Sequence, residues 1–204
     1  MCGRFTQTKS RKEVLDQLAN IELPPLFHRR YNIAPSQTVA VIRQDEPTRP
    51  EECIWGFEKP VSKGLVINAR LETLAERPMF KDLLANHRCL IPADGFYEWK
   101  GKQPYYFQLP EKELFAFAGL WRDDRCCIIT RTADQYMKDI HDRMPVILTP
   151  DHWNRWLENF KPVVAPQLTI RPVSRRVNKV DIDDPACLDP IDEQTDLSLF
   201  TDDE

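Results

Sequence analysis

The sequence predicts an α+β fold, in which a twisted, mainly antiparallel sheet or open β-barrel-like core carries a few peripheral helices. Many short segments have the composition and spacing of β-strands. Only three segments have helical periodicity, and 17 prolines interrupt the chain between regular elements. Numerous short strands with few helices are typical of this fold class.

The first predicted helix covers residues 10–21. Ser10 is followed three residues later by Glu13, which is the pattern of a capping box. Apolar side chains then recur on one helical stripe: Val14, Leu15, Leu18 and Ile21. Two more helices are predicted over 76–87 and 149–160.

Ten strands are predicted along the rest of the chain, and they supply the sheet or barrel. They cover 39–43, 53–57, 65–71, 88–92, 95–100, 104–109, 114–121, 126–131, 145–148 and 168–173.

A length of 204 residues fits one domain, predicted over 1–180, with an acidic C-terminal tail over 181–204. The tail holds ten acidic residues and no basic one, whereas the rest of the chain holds 28 basic and 22 acidic residues. A positively charged body is compatible with a polyanionic partner. The tail could shield the same surface, although a solvated tail is the simpler interpretation.

The six cysteines form no C-x-x-C pair, and the four histidines are scattered, so no metal or other cofactor is predicted. Most of the cysteines lie in apolar stretches and are predicted to be small buried residues. No apolar run reaches the roughly 18 residues that span a bilayer, and no signal peptide is recognisable. We therefore expect no membrane partner, and a cytoplasmic, nucleoid-associated location in a bacterium or a nuclear one in a eukaryote.

The N-terminus, "MCGRF", is a candidate reactive group. A small second residue permits removal of Met1, after which Cys2 carries both a thiol and an α-amine of pKa about 7.7–8.0. An aldehyde can form an imine with this amine, and the thiol can then close a five-membered thiazolidine. A buried structural cysteine explains Cys2 equally well.

The segment "VINARLET" alternates, so a strand would project Asn68, Arg70 and Glu72 from one face. Such a face can line a pocket, with Asn68 orienting a reactive group and Arg70 holding a phosphate. Plain solvent exposure is the simpler explanation.

The segment "ADGFYEWK" places Glu98 on the strand face of Phe96, opposite Tyr97 and Trp99. A partly dehydrated carboxyl would have a raised pKa suited to proton transfer. The alternative is an ordinary strand-edge glutamate paired with a lysine.

In "KDIHDRMP", His141 is followed by Asp142 and Arg143 just ahead of a buried strand. Histidine is the usual proton carrier near neutral pH, and the nearby Arg143 can contact a phosphate. A functional role is favoured here over a structural one.

Hydrolysis by a nucleophilic cysteine is the competing chemistry. The start "MCG" also opens the N-terminal-nucleophile glutamine amidotransferases. Those enzymes continue with an apolar strand and glycine, whereas this chain continues with Arg4 and Phe5, which weakens that alternative.

Seven fragments in order resemble the SOS-response-associated peptidase (SRAP) family, and the resemblance runs from Cys2 to about Val177. The fragments are "MCGRF", "RYNIAPSQ", "IWGF", "INARLET", "PMF", "IPADGFYEWK" and "DIHDRMPVIL". The segment "EKPVSKG" is shorter than the loop expected in many members, and the acidic tail matches no family motif.

The resemblance implies the SRAP fold and a protein that shields abasic sites in single-stranded DNA through a covalent thiazolidine crosslink. Cys2 would be the nucleophile and Asn68 would position it. Glu98 would assist proton transfer during sugar ring opening and imine formation, and His141 would complete the acid/base set. A lyase side reaction at the imine is also expected.

The resemblance also implies contacts with single-stranded DNA, including junctions with a duplex, by a monomeric protein. Arginines would hold phosphates, an apolar wedge at "PMF" would press against bases, and a tryptophan would stack on them. These DNA-binding residues are Arg4, Arg70, Arg143, Met79 and Trp55. Trp99 could stack as well. Each of the two tryptophans could equally be a core residue, and a core position is favoured for Trp99.

Two other functions stay open. One is a cysteine peptidase that removes its own Met1 or cleaves other proteins through Cys2. The other is a non-covalent single-stranded DNA-binding module in which the cysteine is incidental.

Overall fold

The computed structural model describes residues 2–17, 28–160 and 165–191. The strands, in chain order, are β1 Arg4–Gln7, β2 Arg30–Ile33, β3 Thr38–Arg43, β4 Glu51–Trp55, β5 Phe57–Glu58, β6 Leu65–Val66, β7 Asn68–Arg70, β8 Arg88–Ala93, β9 Gly95–Lys100, β10 Gln103–Gln108, β11 Phe115–Arg122, β12 Arg125–Thr132, β13 Arg143–Pro145, β14 Ile147–Leu148 and β15 Thr169–Pro172. The α-helices of the described ranges are α1 Arg11–Gln17 and α2 Trp153–Asn159.

The larger sheet closes on itself as a barrel. Its strands pair in the order β12, β4, β3, β8 and β11, and β11 then pairs with β12. Strands β13, β14 and β7 are added to this barrel, and only the pairings of β12 with β4 and with β7 are parallel. The α+β class and the mainly antiparallel barrel-like core are confirmed, and the barrel is closed by the β11–β12 pairing.

A second, fully antiparallel sheet packs beside the barrel in the order β15, β10, β9, β1, β2. All ten predicted strand segments are present, but β1 and β2 were not predicted. Strand β1 has only four residues, and three successive ones (Phe5, Thr6 and Gln7) are buried. A short strand that is covered on both faces lacks the polar and apolar alternation by which strands are recognised.

Phe5 packs β1 against the barrel. Its ring meets the ring of Trp55 at 5.2 Å and that of Phe117 at 5.5 Å, both edge to face. The next residue, Thr6, donates a hydrogen bond of 2.6 Å to Asp94 Oδ1. These contacts fix the start of the chain between the two sheets.

Gly95, where β9 begins, is required by close packing. A Cβ on this residue would lie 1.9 Å from the hydroxyl oxygen of Tyr106 on the neighbouring strand β10. The glycine in "ADGFYEWK" therefore allows β9 to lie between β1 and β10.

The helix predictions had mixed outcomes. The capping box is confirmed, because Ser10 N donates to Glu13 Oε2 at 2.7 Å and Glu13 N donates to Ser10 Oγ at 3.3 Å. Leu18 and Ile21 lie outside the described residues. The C-terminal helix is confirmed as α2, preceded by the 3₁₀ turn Pro150–His152.

The helix predicted over 76–87 is wrong, because this segment forms successive isolated turns. Phe80 N bonds Arg77 O and Leu83 N bonds Phe80 O, without a continuous helical ladder. Pro78 disfavours helical backbone at Arg77. Burial of Phe80 and Leu83 against the barrel then produces the apolar spacing that resembled a helix.

All six cysteines are buried and free, and burial is the prediction made for most of them. Within the described ranges, no three His, Cys, Asp or Glu side chains are grouped so as to hold a metal ion. No helix there combines the length and apolar character needed to cross a bilayer.

The described part of the acidic segment, residues 181–191, packs on the domain. Asp183 accepts hydrogen bonds of 2.9 Å from Arg30 Nε and from the backbone N–H of Asn32, and Asp184 pairs with Arg176 at 2.8 Å. The change in composition near residue 180 is therefore not the end of the packed chain. The remainder of the predicted tail, 192–204, lies outside the described residues.

Candidate active site

Cys2 is fully buried at the junction of the barrel and the second sheet. Asn68, the first residue of β7, donates a hydrogen bond of 2.9 Å from Nδ2 to the Cys2 carbonyl oxygen. Pairing of β7 with β12 in the barrel sets the position of Asn68, opposite Ile128. The barrel therefore holds the start of the chain through a side-chain contact, not through a strand ladder.

Glu98 approaches Cys2 from β9. Arg4 pairs with Tyr97 in the antiparallel β1–β9 ladder, so the residues before Arg4 run alongside Glu98. Glu98 is 2% exposed and lies on the face of Phe96, as predicted. Burial raises the pKa of Glu98, an effect that the neighbouring His141 partly opposes.

The Cys2 thiol is held in its neutral form. Burial raises its pKa well above the ordinary value, and the adjacent negative charge of Glu98 raises it further. The backbone N–H of Arg4, which hydrogen-bonds the sulfur, opposes both effects but is the weaker influence. This thiol therefore differs from the low-pKa thiolate of an activated cysteine nucleophile.

The His141 ring is oriented by its own backbone segment. The N–H of Arg143 donates to His141 Nδ1 at 2.9 Å, and Asp142 Oδ1 lies at the same distance from this nitrogen. The amide N–H can only donate, so it favours the neutral tautomer with the proton on Nε2. The Asp142 carboxylate can only accept, so it favours a proton on Nδ1.

The fold thus collects the four predicted catalytic residues at one place. Asn68 bonds the Cys2 backbone, the charge of Glu98 acts on the Cys2 thiol, and His141 acts on Glu98. They come from four separate parts of the chain, and their roles in catalysis stay predictions.

A cavity of about 640 Å³ opens beside Gly3 and Arg4, the residues that follow Cys2. It is lined by Gly3, Arg4, Trp99, Gly101, Lys102, Arg175 and Asn178. Arg4 Nη1 donates to Asn32 Oδ1 and to Val177 O, each at 2.7 Å, and the Arg4 guanidinium lies 5.9 Å from the Trp99 ring centroid. Nη2 of Arg4 has no hydrogen-bond partner among the described residues, so the cavity wall offers three cationic side chains together with an aromatic ring. This set suits a phosphate-bearing ligand.

Three cavity residues depart from the sequence interpretation. Trp99 was favoured as a core residue, but it is only partly buried and donates from Nε1 to Asn178 Oδ1 at 2.7 Å. Lys102 and Arg175 were not singled out. The adjacent arginines in "SRR" were the available sequence signal for Arg175, whereas a turn lysine such as Lys102 has no distinctive pattern.

The other predicted DNA-binding arginines differ in availability. Arg70 is exposed, and its side chain has no hydrogen-bond or ion-pair partner among the described residues. The side chain of Arg143 is only 11% exposed, and Glu72 binds it at 2.8 Å through both carboxylate oxygens. A phosphate would have to displace Glu72 to reach it, so the structure does not favour the phosphate contact predicted for Arg143.

The stacking role predicted for Trp55 is corrected to a core role. The Trp55 side chain has no exposed surface, and its Nε1 donates to Ile67 O at 3.0 Å. A ring enclosed on both faces offers no surface to a base. Met79, the predicted wedge, is partly buried and packs against the hydrophobic cluster that includes Phe80.

Comparison of the sequence with known proteins identifies its family. Residues 1–180 match the family described as SOS response associated peptidase (SRAP). The chain is 41% identical over 179 residues to the abasic site processing protein YoaM of Bacillus subtilis, covering 77% of this chain and 79% of the relative. It is 33% identical to YedK of Escherichia coli, covering 88% and 95%, and 30% identical to HMCES of Gallus gallus, covering 90% and 62%; both carry the same description.

Solved structures share the fold. A protein from Bacteroides thetaiotaomicron superimposes with a TM-score of 0.75 at 18% identity, covering 93% of this chain and all of the other. A phage-related protein from Bordetella bronchiseptica superimposes with a TM-score of 0.68 at 31% identity, covering 84% and 94%. With the family match spanning most of the sequence, the chain belongs to the SOS response associated peptidase (SRAP) family.

Proposed function

We propose that this protein processes abasic sites in single-stranded DNA by forming a thiazolidine crosslink through Cys2 after removal of Met1. The observation that carries the proposal is the grouping of Cys2 with Asn68, Glu98 and His141. The backbone nitrogen of Cys2 becomes the α-amine once Met1 is removed. Relatives described as abasic site processing proteins supply the substrate class.

The first step opens the deoxyribose ring. Glu98, whose pKa burial raises, is suited to donate a proton to the ring oxygen while the C1′ hydroxyl loses one. His141 lies close enough to influence Glu98 and is suited to accept the proton that the C1′ hydroxyl loses. The product is an open-chain aldehyde at C1′.

The α-amine is the first nucleophile. Its ordinary pKa of about 7.7–8.0 makes a substantial fraction neutral near physiological pH, whereas burial raises the pKa of the Cys2 thiol. Attack at C1′ and loss of one water give the imine. Asn68 Oδ1 is buried without a hydrogen-bond partner among the described residues, which suits it to accept a hydrogen bond from this amine.

The thiol completes the crosslink. Its sulfur bonds C1′ while its proton passes, by way of the Glu98 carboxylate, to the imine nitrogen, so no oxidant or reductant is needed. The five-membered ring consumes the imine. Because the imine acidifies the C2′ protons, closing the ring also suppresses β-elimination of the 3′ phosphate.

The DNA strand is proposed to pass the cavity that Gly3 and Arg4 line, next to Cys2 in the chain. Arg4, Lys102 and Arg175 would contact phosphates there, with Trp99 beside a base, and the exposed Arg70 would contact another phosphate. We expect a single protein chain to make all of these contacts, so that the protein binds DNA as a monomer.

Cleavage of other proteins is less well supported. A cysteine peptidase needs an accessible thiolate, whereas this thiol is buried and its pKa is raised. Removal of the protein's own Met1 is intramolecular and needs no substrate groove, so it is compatible with the crosslinking proposal.

The test is a denaturing gel of protein incubated with single-stranded DNA bearing one abasic site, after mass spectrometry has confirmed loss of Met1. Intact DNA and Cys2→Ala are the controls. A heat-stable shifted band that requires both the abasic site and Cys2 is expected. Failure of Met1-free protein to form the band would overturn the proposal.

A further inference from the structure

We propose that Glu72 is a positioning residue that clamps the base of the loop carrying His141. Glu72 lies in the 3₁₀ turn Leu71–Thr73, directly after β7. The loop in question, residues 133–142, connects β12 to β13. The effect on crosslinking rests on the proposed function, whereas the effect on the His141 ring does not.

The Glu72 carboxylate binds both ends of this loop. Thr132 and Arg143 form the last pair of the β12–β13 ladder. Glu72 Oε1 accepts hydrogen bonds from Thr132 N at 2.9 Å and Thr132 Oγ1 at 3.1 Å. Arg143 Nη1 and Nη2 donate to Glu72 Oε1 and Oε2, each at 2.8 Å. One carboxylate therefore joins the two residues between which the loop leaves and re-enters the sheet.

The partners of the Arg143 guanidinium indicate a structural role for it. Besides Glu72, Nη1 donates to Thr132 Oγ1 at 3.3 Å and Nη2 to Thr130 O at 2.8 Å. These contacts occupy all four N–H groups of the two terminal nitrogens. The remaining N–H, on Nε, is buried. With its terminal donors used inside the protein, Arg143 is suited to hold the loop.

The clamp reaches His141 through the backbone. The N–H of Arg143, whose side chain Glu72 holds, is the group that donates to His141 Nδ1. Asp142 O accepts a hydrogen bond of 3.0 Å from Ala133 N. This bond joins the first and last residues of the loop, next to the pair that Glu72 holds. The orientation of the ring, and the balance between its two tautomers, therefore depend on the backbone that Glu72 fixes.

The same short segment also reaches the nucleophile. Asn68 lies four residues before Glu72 and bonds the Cys2 carbonyl. Residues 68–72 thus hold the chain start at one end and the histidine loop at the other. The relative position of Cys2 and His141 is set by this segment, although neither residue belongs to it.

The test compares Glu72→Gln and Glu72→Ala with a matched control, Glu58→Gln. Glu58 also pairs with an arginine of β12, Arg125, at 2.6 Å, but that pair has no bond to the histidine loop. Glutamine keeps one acceptor oxygen but directs an N–H₂ group toward Arg143, so it breaks the bidentate pair with little change in size. If Glu72→Ala does not fold, Glu72→Gln provides the test.

The first readout is the ¹⁵N NMR spectrum of the His141 imidazole in DNA-free protein near neutral pH. Wild type and Glu58→Gln are expected to share the same His141 nitrogen shifts. The Glu72 variants are expected to differ from them, because a displaced Arg143 N–H no longer favours the tautomer with the proton on Nε2. Unchanged His141 nitrogen shifts in folded Glu72→Gln would overturn the proposal, whatever the protein does to DNA.

The second readout is the single-turnover rate of crosslinking to an abasic oligonucleotide. Glu72→Gln is expected to lose about tenfold in rate, because misplaced catalytic groups are costly, while Glu58→Gln keeps the wild-type rate. If the His141 nitrogen shifts of Glu72→Gln change but its crosslinking rate does not, the link between the clamp and catalysis is overturned. Absence of crosslinking in wild type would instead overturn the proposed function and leave the NMR result to judge the clamp.

Discussion

The Asn68 side chain donates a 2.9 Å hydrogen bond to the backbone carbonyl of Cys2, a residue 66 positions earlier in the chain. A main-chain anchor of this kind fixes where the cysteine lies without occupying its thiol. The position of Cys2 at the start of the chain is thereby tied to the barrel through β7.

Replacing Asn68 by Asp is expected to slow crosslinking by at least tenfold, because a carboxylate cannot donate to the Cys2 carbonyl and repels it. Single-turnover rates on an abasic oligonucleotide measure the effect. Asn154→Asp is the control, since Asn154 is exposed on α2 and lines neither the cavity nor the Cys2 site. Equal rates for Asn68→Asp and wild type would show that this anchor does not position the nucleophile.

Replacing Cys2 by Ala is expected to abolish the lasting crosslink and to increase strand cleavage, because the new N-terminal amine still forms an imine that no thiol removes. Denaturing gels after borohydride trapping and after heat measure the imine and the cleaved strand. Cys187→Ala, at another buried cysteine, is the control. Equal cleavage by Cys2→Ala and wild type would contradict the protective role of the thiol.

Replacing Glu98 by Gln is expected to slow crosslinking by about 10²-fold or more, through loss of the proton-transfer group. It should also stabilise the fold increasingly as pH rises. The folded pKa of Glu98 is raised above its unfolded value of about 4.3, so ionisation on going to higher pH costs stability that glutamine does not lose.

Urea unfolding at about pH 4 and about pH 8 checks the sign of this effect. The free energy of unfolding of Glu98→Gln, relative to wild type, should be larger at the higher pH. A relative stability that stays constant, or falls with rising pH, would show that Glu98 is not destabilised by ionisation in the folded protein.

Replacing Arg70 by Gln is expected to weaken DNA binding and to reduce the slope of log K against log salt by about 0.7, the value for one phosphate contact on a single strand. Arg70 is exposed and has no partner among the described residues. Titrations with intact single-stranded DNA over a range of salt give the slope. Arg125→Gln, at a surface arginine already paired with Glu58, should leave it unchanged.

Replacing Trp55 by Ala is expected to destabilise the fold by about 3–5 kcal/mol, because the side chain is fully enclosed and packs on Phe5. Trp99→Ala, at the partly buried cavity tryptophan, should cost less stability but weaken binding of single-stranded DNA. Urea unfolding and DNA titration separate the two. Weaker DNA binding by Trp55→Ala with little loss of stability, and a larger loss of stability in Trp99→Ala, would restore Trp55 as the stacking residue.

Much of the fold was accessible from local pattern. Ten strands, the capping box at Ser10 and the C-terminal helix each depend on neighbours in sequence, and all are present. The helix prediction over 76–87 is wrong for a local reason as well, because burial of Phe80 and Leu83 in consecutive turns gives the spacing of a helix. Strand β1 escaped recognition because both of its faces are covered by distant parts of the chain.

The sequence by itself determined the reactive chemistry available at Cys2 and the identities of Asn68, Glu98 and His141, since residue type dictates which bonds and protons a group can exchange. Only the tertiary structure decided which arginines are available. Arg70 is exposed, whereas Arg143 is held by the carboxylate of Glu72, which lies in the turn after β7. Trp55 is buried and packs against Phe5. Availability depends on contacts between residues far apart in the chain, and a linear pattern does not contain these contacts.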